Sequence, residues 1–356
     1  MEMIDILKAA VQKGASDLHL VIGQSPMIRQ DGDLKSMTEF PVLTAEESRR
    51  MIYTLLSDEQ RARFEKDWEL DFSVAVDQLS RFRANVLVQK NGVEAVLRVI
   101  SGKIPSAEDL QLPAVITDMA NLPRGLVLVT GPTGSGKSTT LACLVNLINQ
   151  RRRSHILTVE DPIEFVYENK NSVIRQREIG QQSHSFAAAL KHALRQDPDV
   201  VMVGEMRDLE TISAALTMAE TGHLVFATLH TTDAAQTIDR IIDVFPAHQQ
   251  QQVRIQLSSV LKAVVCQTLL PRLNAKGRIA AREIMIVTPA ISNLIREGKS
   301  HQIYGAIDTG ARVGMISLDK ALADLVKRNL ISTDEALSKA NRPELIRNGP
   351  PPALAA

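Results

Sequence analysis

The chain has 356 residues, of which 44% are hydrophobic and 23% are charged, a composition that excludes an intrinsically disordered chain and favours two compact domains. Lysine plus arginine and aspartate plus glutamate number 41 each, which excludes the overall positive field that holds nucleic acid through its phosphates. We therefore expect no direct nucleic-acid partner.

The N-terminal segment MEMIDILKAA carries Glu2 and Asp5 where a secretory signal would need positive charge, so we expect no signal peptide. No stretch of about 18 consecutive apolar residues, the length that spans a bilayer as a helix, occurs in the sequence. Cys143 and Cys266 form no C-x-x-C pair, which argues against a zinc site and a disulfide framework. We expect a cytoplasmic protein that reaches a membrane only through a partner.

Residues 1–100 are predicted to form a small α+β domain. Short alternating segments such as DLHLVI and DFSVAV are mixed there with one helical stretch, TAEESRRMIYTLLSDEQRARFE. The following segment 101–113, SGKIPSAEDLQLP, contains one glycine and two prolines and is predicted to be a linker.

The segment RFRANVLVQKNGVEAVLRVI at the end of this domain is typical of a β-hairpin. The Asn-Gly pair at 91–92 predicts a two-residue turn, with Lys90 opposite Val93 and Asn85 opposite Arg98. One face of the hairpin is then apolar, and the other carries three arginines, Arg81, Arg83 and Arg98.

Three arginines on one face repel one another unless an anion lies against them. An ATP molecule held at the edge of another subunit or domain would supply that anion, as when an arginine finger stabilises the transferred phosphate. A solvated basic face is the alternative. Arg195 and Arg207, near a later strand, are weaker candidates for the same role.

Residues 114–342 are predicted to form a larger α/β domain. The apolar runs GLVLVT, HILTVE, DVVMVGE and HLVFATLH are typical of buried parallel strands, and the stretches SFAAALKHALRQ and ISAALTMAE between them are typical of helices. From TTDAAQTIDRIIDVF onward the chain is predicted to be mostly helical. The tail 343–356, rich in proline and alanine, is expected to be flexible.

The sequence GPTGSGKS at 131–138 matches the phosphate-binding pattern G-x-x-x-x-G-K-[ST] and lies between a predicted strand and a predicted helix. Backbone N–H groups of such a loop and the helix N-terminus face the phosphates. Lys137 is expected to reach the β and γ phosphates of ATP, and Ser138 to bind Mg²⁺. The pattern alone does not distinguish ATP from GTP. The residues expected to contact the nucleotide are Gly131, Pro132, Thr133, Gly134, Ser135, Gly136, Lys137, Ser138 and Thr139.

Polar residues follow three of the predicted parallel strands, and ligands of such sheets bind at the carboxyl ends of the strands. Glu160 ends ILTVE and is predicted to orient and deprotonate the attacking water. Glu205 ends VVMVGE and is predicted to hold Mg²⁺ through water, although Gly204 stands where many P-loop enzymes have a metal-binding aspartate. His230 ends HLVFATLH and is predicted to contact the γ phosphate.

The motifs GPTGSGKSTT, TVEDPIEF, HALRQDPDVVMVGEMRD and ATLHTTDAAQTIDRI resemble those of the secretion and pilus ATPases. With GASDLHL, RFR and QTLLPRL the resemblance covers nearly the whole chain, and it is strongest to the type IV pilus retraction ATPases. It implies a PAS-like N-terminal domain, a RecA-like ATPase domain, a homo-hexameric ring with ATP between the domains, and an inner-membrane platform protein as partner.

The resemblance also implies roles for single residues. Glu160 corresponds to the catalytic glutamate, Glu205 to an atypical Walker B glutamate and His230 to the histidine of the His box; the arginines that approach ATP correspond to Arg81, Arg83 and Arg98. One motif departs from the family. Retraction ATPases commonly carry AIRNLIRE late in the chain, whereas AISNLIRE at 290–297 has Ser292 in place of the arginine. The apolar positions Ala290, Ile291, Leu294 and Ile295 still share one helical face, so a packing role is expected to remain.

The sequence therefore predicts an ATP-hydrolysing hexameric motor for pilus retraction and twitching motility, at the inner membrane through the pilus machine. A pilus extension or type II secretion ATPase is one alternative, which the lack of a four-cysteine zinc motif and of an extra N-terminal domain disfavours. A regulatory protein that binds ATP without hydrolysing it is the alternative of another class, and a DNA translocase is disfavoured by the zero net charge.

Overall fold

The structure is a computed structural model, and it describes residues 1–30, 32–76, 79–100, 102 and 104–347. Its contacts divide the chain into two compact units. The first comprises Met1–Lys103 together with Pro162–Val166, and the second comprises Ile104–Asp161 together with Tyr167–Ala356.

The first unit is an α+β unit built around one antiparallel sheet of strand order β3-β2-β1-β6-β5-β4. Helix α1 presents buried residues at the i, i+3, i+4 and i+7 spacing of an amphipathic helix, beginning with Met3. Its elements are α1 (Met3–Gln12), β1 (Asp17–Leu20), β2 (Met27–Gln30), β3 (Asp33–Ser36), α2 (Ala45–Tyr53), α3 (Asp58–Asp67), β4 (Glu69–Val76), β5 (Ser80–Gln89) and β6 (Gly92–Ile100).

The single helical stretch predicted before β4 is in fact two helices. Thr44 caps α2 in a capping box with Glu47, and Ser57 caps α3 in a second capping box with Gln60. A serine whose side chain bonds the N–H three residues later starts a new helix instead of continuing the old one. The predicted helical stretch is therefore present and is divided into two helices.

The hairpin of β5 and β6 forms as predicted, but its register differs. Gln89 pairs with Gly92 and Arg83 pairs directly with Arg98, so the turn is Lys90-Asn91. A type I′ turn at 91–92 needs positive φ at both residues, and only Gly92 has it, at 136°. The shift changes each pairing by two positions, and because side chains alternate with a period of two, the three arginines remain on one face.

The second unit is an α/β unit around a sheet of order β13-β12-β7-β11-β10-β8-β9, in which β13 alone among the described strands runs antiparallel to its neighbour. Buried apolar side chains lie on both faces of the sheet, so helices cover both. Its elements are α4 (Ala114–Thr117), β7 (Gly125–Thr130), α5 (Lys137–Arg151), β8 (His155–Glu160), β9 (Val173–Glu178), α6 (Phe186–Ala193), β10 (Val200–Val203), α7 (Leu209–Glu220), β11 (Leu224–Leu229), α8 (Ala234–Asp243), α9 (Ala247–Val260), β12 (Leu261–Pro271), β13 (Arg278–Ile286), α10 (Pro289–Arg296), α11 (Ile303–Thr309), α12 (Leu318–Lys327), α13 (Thr333–Leu337) and α14 (Pro343–Arg347).

The four predicted strands β7, β8, β10 and β11 and the helices α6 and α7 are present. The prediction that the chain is mostly helical after β11 was wrong where β12 and β13 form a long hairpin. The segment LKAVVCQTLLP becomes a strand because it pairs with β7 and is buried along most of its length. Strand β9, with the polar sequence VIRQRE, was not predicted, and it takes its place at the free edge of the sheet.

The late motif AISNLIRE forms α10 and continues to Glu297. Ile291 and Ile295 are buried, whereas Ala290 is exposed and does not share in the packing that was expected of it. Ser292 donates a hydrogen bond from Oγ to the Ser258 carbonyl oxygen at 2.7 Å, which ties α10 to the end of α9.

Of the linker expected at 101–113, the described residues contain no helix or strand, and Ser101 and Lys103 lie outside them. Of the tail expected at 343–356, Pro343–Arg347 form α14 with Ile346 buried against the C-terminal helices. Residues 348–356 lie outside the part of the chain that the structure describes.

One buried carboxylate joins three elements of the second unit. Glu283 on β13 accepts hydrogen bonds from the N–H of Ala234 at 2.8 Å and of Leu318 at 3.4 Å, which begin α8 and α12. Burial raises the pKa of Glu283 to about 7, and the nearby carboxylates Asp233 and Asp319 also raise this pKa. The cost of burying the charge is only partly offset by the two helix N-termini.

We predict that Glu283→Gln alters the pH dependence of stability. The pKa of Glu283 in the folded state lies above the ordinary value of 4.5, so the folded protein binds this proton more tightly than the unfolded chain does. The resulting contribution to the free energy of unfolding is complete below pH 4.5 and is lost as the pH rises through 7. The free energy of unfolding of the wild type should therefore fall by about 2 kcal/mol relative to the variant between about pH 5 and about pH 8. Urea unfolding followed by circular dichroism measures this.

The same substitution at exposed Glu210 on α7 is the control for exchanging a carboxylate for an amide. Parallel stability profiles of the wild type and Glu283→Gln over this pH range would contradict the prediction.

Candidate functional site

Four neighbouring strands, β7, β11, β10 and β8, run parallel, so their carboxyl ends meet at one edge of the sheet. The phosphate-binding loop follows β7, and His230 follows β11, whose last residue pairs with Thr130 at the end of β7. Glu205 follows β10 after Gly204, and Glu160 is the last residue of β8. Segments far apart in sequence are thereby brought to one site.

The loop at 131–138 has the backbone conformation of an anion-binding loop. Gly131, Gly134 and Gly136 have φ of 138°, 77° and 86°, values that residues with a side chain rarely adopt. At Gly131 a Cβ atom would lie 2.2 Å from the Gln267 carbonyl oxygen, so no side chain fits there. Helix α5 begins immediately afterwards at Lys137, so its N-terminal N–H groups are directed at the loop.

Lys137 is 9% exposed and its ammonium is held over the loop. Its Nζ donates hydrogen bonds to the carbonyl oxygens of Gly131 at 2.8 Å and Pro132 at 3.1 Å. A cation at this position attracts the terminal phosphates of a nucleotide. Ser138 is partly buried in the first turn of α5, and a hydroxyl there matches the preference of Mg²⁺ for oxygen ligands.

Glu160 is 5% exposed and two neighbouring side chains fix its carboxylate. Its Oε1 accepts hydrogen bonds from Thr158 Oγ1 at 2.7 Å and from Gln176 Nε2 at 3.2 Å. Gln176 is itself oriented, because its Oε1 accepts the N–H of Tyr167 at 3.0 Å. A carboxylate held in this way can accept a proton from a water in a fixed direction.

Glu205 joins two other polar residues at the same edge. Its Oε1 lies 2.8 Å from Arg207 Nε, and its Oε2 lies 3.5 Å from Nε2 of His230. The sequence predicted Glu205 and His230 at the site and ranked Arg207 lower. The structure brings all three together, and the arginine pairs with the acid itself.

Gly204 is packed closely against the end of β8. A Cβ atom on Gly204 would lie 3.2 Å from the Val159 carbonyl oxygen and 3.3 Å from the Glu160 Cα atom. The Gly204 N–H also donates to the Val159 carbonyl oxygen at 2.7 Å. Strands β8 and β10 approach so closely at this point that a side chain on residue 204 would require the β8 backbone to shift by a few tenths of an ångström.

The three predicted arginines lie in the first unit, on one face of β5 and β6. Arg98 has an anionic partner inside the first unit, because its Nε lies 2.9 Å from Oδ1 of Asp17 on the neighbouring strand β1. Arg83 is exposed and lies directly opposite Arg98, and Arg81 lies opposite Ile100. The role predicted for these arginines at an ATP site stays a prediction.

Sequence reasoning missed the residues that support the predicted ones. Thr158 lies two positions before Glu160 on the same strand, so the alternation of side chains in β8 was a usable signal for it. Gln176 comes from β9, a strand that was not predicted. Gln267 contacts the phosphate-binding loop from β12. The sequence pointed to it only as one polar residue within an apolar run.

Among the described residues, no cluster of three or more histidine, cysteine, aspartate and glutamate side chains has the arrangement of a metal site. No helix in the described ranges has both the length and the apolar composition required to cross a membrane.

Comparison with known proteins places this geometry in a family. The model of the Type II/IV secretion system protein family matches residues 2–349. The chain is 51% identical to the type IV pilus retraction ATPase PilT of Pseudomonas aeruginosa, over 97% of this chain and 99% of that protein. It is 50% identical to a twitching motility protein of Neisseria gonorrhoeae, over 90% of this chain and 85% of that protein.

A crystal structure of the pilus retraction motor PilT with bound ADP superposes with a TM-score of 0.92 at 44% identity, covering 98% of this chain and 99% of that one. This match confirms the predicted fold, a PAS-like α+β domain followed by a RecA-like nucleotide-binding domain. The chain therefore belongs to the Type II/IV secretion system protein family and is a P-loop ATPase.

Proposed function

We propose that this protein is an ATP-hydrolysing motor that powers type IV pilus retraction, and hence twitching motility. The observation that carries the proposal is the similarity to a retraction ATPase along nearly the whole of both chains. The site supports it, because the phosphate-binding loop, Lys137, Glu160 and Glu205 occupy one sheet edge in an arrangement suited to hydrolysis.

Each residue of the site has a separate role in this mechanism. The loop N–H groups and Lys137 bind the β and γ phosphates and stabilise the negative charge that develops on them during hydrolysis. Glu160, held by Thr158 and Gln176, orients the attacking water and accepts its proton. When bound, Mg²⁺ would supply positive charge that stabilises the charge developing on the phosphates. Ser138 would hold the metal directly, and Glu205 would hold it through water.

In this mechanism His230 reports the state of the γ phosphate. Its ring lies beside Glu205, so a phosphate oxygen or a metal-bound water near that carboxylate lies within reach of the same ring. Loss of the phosphate after hydrolysis removes one partner of His230. The loop between β11 and α8 begins at His230. A change in the position of His230 would therefore be transmitted to α8.

We propose further that the protein works as a homo-hexamer at the cytoplasmic face of the inner membrane, bound to a platform protein of the pilus machine. In this assembly Arg81, Arg83 and Arg98 complete the ATP site when the N-terminal domain closes. Arg83 is exposed, and the side chain of Arg98 is 67% exposed although it pairs with Asp17. This exposure supports the role. Arginine is suited to it because its planar fork binds phosphate oxygens in pairs.

We predict that Glu160→Gln retains ATP binding and loses turnover by roughly 10²- to 10⁴-fold, because an amide can still bind a water but cannot accept its proton. Lys137→Ala should fail earlier, at nucleotide binding. The measurements are binding of a fluorescent ATP analogue and release of phosphate by the purified proteins. Glu220→Gln, on the exposed end of α7, is the control.

Near-normal hydrolysis by Glu160→Gln would remove Glu160 from the catalytic role. Normal nucleotide binding by Lys137→Ala would contradict the assignment of the loop. A protein that binds ATP tightly in its wild-type form and never hydrolyses it would favour the regulatory alternative.

We predict that hydrolysis depends on assembly and that Arg98→Ala lowers turnover by roughly 10³-fold, as loss of an arginine finger does. Specific activity should also fall on dilution to monomers. Asp17→Asn is the matched control, because it removes the ion pair inside the first unit and leaves the arginine in place. Equal losses in both variants, or constant specific activity in monomeric samples, would support a structural or solvated face instead.

We predict that a strain lacking only this protein assembles pili but does not withdraw them, so surface fibres accumulate and twitching stops. The reason is that assembly would use a separate ATPase. Electron microscopy of the fibres and a surface-motility assay measure this, with the gene returned in trans as control. Bald cells would instead identify an extension motor, while leaving the ATPase assignment intact.

A further inference from the structure

Strand β12 runs alongside the phosphate-binding loop and presents one buried amide to it. The pairing of β12 with β7 ends at Cys266 opposite Thr130, so Gln267 is the first residue of β12 beyond the end of β7. Gln267 is 4% exposed and lies in the apolar run AVVCQTLL. Burying an amide is costly unless both its donor and its acceptor form hydrogen bonds, so the partners of Gln267 indicate what the side chain holds in place.

Both ends of the Gln267 amide bond to the loop or to the helix that follows it. Nε2 donates to the Ser135 carbonyl oxygen at 2.6 Å, and Oε1 accepts from Thr140 Oγ1 at 3.0 Å. The orientation of the amide is not interchangeable, because the carbonyl oxygen can only accept. Thr140 holds the amide in the orientation that places its NH₂ group toward Ser135.

The bond to Ser135 fixes the direction of a neighbouring N–H. In a planar trans peptide the C=O and the N–H point in opposite directions. The Ser135 carbonyl is directed at Gln267 Nε2, so the N–H of Gly136 in the same peptide unit points away from Gln267. Gly136 N–H belongs to the group of N–H donors on which phosphate binding by such loops depends.

Strand β12 packs so closely against the loop that it restricts the conformation of the loop backbone. A Cβ atom on Gly136 would lie 3.1 Å from Gln267 Nε2, and one on Gly131 would lie 2.2 Å from the Gln267 carbonyl oxygen. Both glycines have positive φ, so the loop takes its conformation with its backbone directly against this residue.

We propose that Gln267 is a positioning residue of the nucleotide site, which keeps the phosphate-binding loop in its anion-binding conformation through the Ser135 carbonyl. It acts on the nucleotide through the loop and does not touch it. Since the loop binds the phosphates before and during hydrolysis, loss of Gln267 weakens nucleotide affinity and raises KM more than it lowers kcat. This inference rests on the nucleotide site described above.

Two substitutions of Gln267 test the hydrogen bond that its NH₂ group donates to the Ser135 carbonyl oxygen. Gln267→Leu removes both hydrogen bonds at similar volume and should weaken binding of a fluorescent ADP with Mg²⁺ by roughly tenfold, the effect of about one buried hydrogen bond. Gln267→Glu keeps the acceptor for Thr140 but places a carboxylate against the Ser135 carbonyl oxygen and near the phosphates. It should weaken ADP binding more than the leucine does.

A second pair of variants tests the orientation of the amide without altering Gln267. Thr140→Val removes the hydroxyl that holds Oε1 and should weaken ADP binding several-fold, roughly the effect of one weaker hydrogen bond. Thr140→Ser keeps the hydroxyl and should restore wild-type affinity. These variants keep the proposal testable even if Gln267→Leu does not fold.

Asn149→Leu is the matched control for the loss of a buried amide. Asn149 is buried at the far end of α5, where it donates to the Glu168 carbonyl oxygen and accepts from the Lys170 N–H. Its loss should lower the melting temperature and leave ADP affinity unchanged.

The full-length variants are compared by ADP titration, by the melting temperature and by the split between KM and kcat. Weaker ADP binding in Gln267→Leu and Thr140→Val, restored in Thr140→Ser, is the expected result. If Gln267→Leu only lowers the melting temperature and binds ADP within about twofold of wild type, as Asn149→Leu does, the proposal is overturned. If Thr140→Val binds like wild type, it is overturned as well. Lys137→Ala separates failure of this proposal from failure of the nucleotide site itself. If Lys137→Ala loses ADP binding, the nucleotide site is supported whatever the result for Gln267.

Discussion

The function of this protein depends on the backbone between Gly131 and Ser138 keeping its N–H groups on one side. Such a surface is built from peptide units rather than side chains, so side chains can only hold it from outside. Strand β12 does so through Gln267, and β13 approaches from the same side, where Arg278 Nη1 lies 3.4 Å from the Gly134 carbonyl oxygen. The Lys137 ammonium bonds two further carbonyls of the loop. These contacts engage the carbonyl oxygens of the loop, so its N–H groups remain for an anion.

The second constraint is the parallel order of the strands. Parallel strands place all their carboxyl ends at one edge, so the loop after β7, the acid ending β8 and the residues after β10 and β11 meet without any local sequence signal. The same strands connect the site to the rest of the unit. Glu283 on β13 bonds the first N–H of α8, which follows the His230 loop, and the first N–H of α12 in the C-terminal helices. One buried carboxylate thus lies between the nucleotide edge and the helices of the C-terminal region.

Local signals predicted the parts of the fold that local chemistry determines. The loop pattern, its flanking strand and helix, and Glu160, Glu205 and His230 at strand ends were all readable, because each depends on a short segment. The register of the β5–β6 hairpin was not readable, since the Asn-Gly pair allows two turns and the conformation of Gly92 chooses between them. Strand β9 was missed because its residues are polar and only its pairing with β8 makes it a strand.

Residues that act at a distance in sequence were the hardest to predict. Gln176 and Gln267 reach the site across strand pairs, from 16 and 132 positions away from Glu160 and Ser135. Nothing in their own segments marks a glutamine as a partner of a carboxylate or a carbonyl. The sequence could identify the groups that perform the chemistry, whereas the groups that hold them in place became visible only when the strands were paired.

The ion pair of Arg98 with Asp17 is unevenly exposed to water. The Arg98 side chain is 67% exposed while that of Asp17 is only 9% exposed. The pair therefore differs from a fully exposed one, because the buried carboxylate depends on the arginine to compensate its lost hydration. It links strands β1 and β6, on which Asp17 and Arg98 lie opposite each other. Ser16 Oγ donates to the other carboxylate oxygen of Asp17 at 2.9 Å. Both oxygens of the buried acid therefore have partners within the first unit, while the arginine keeps most of its own surface in water.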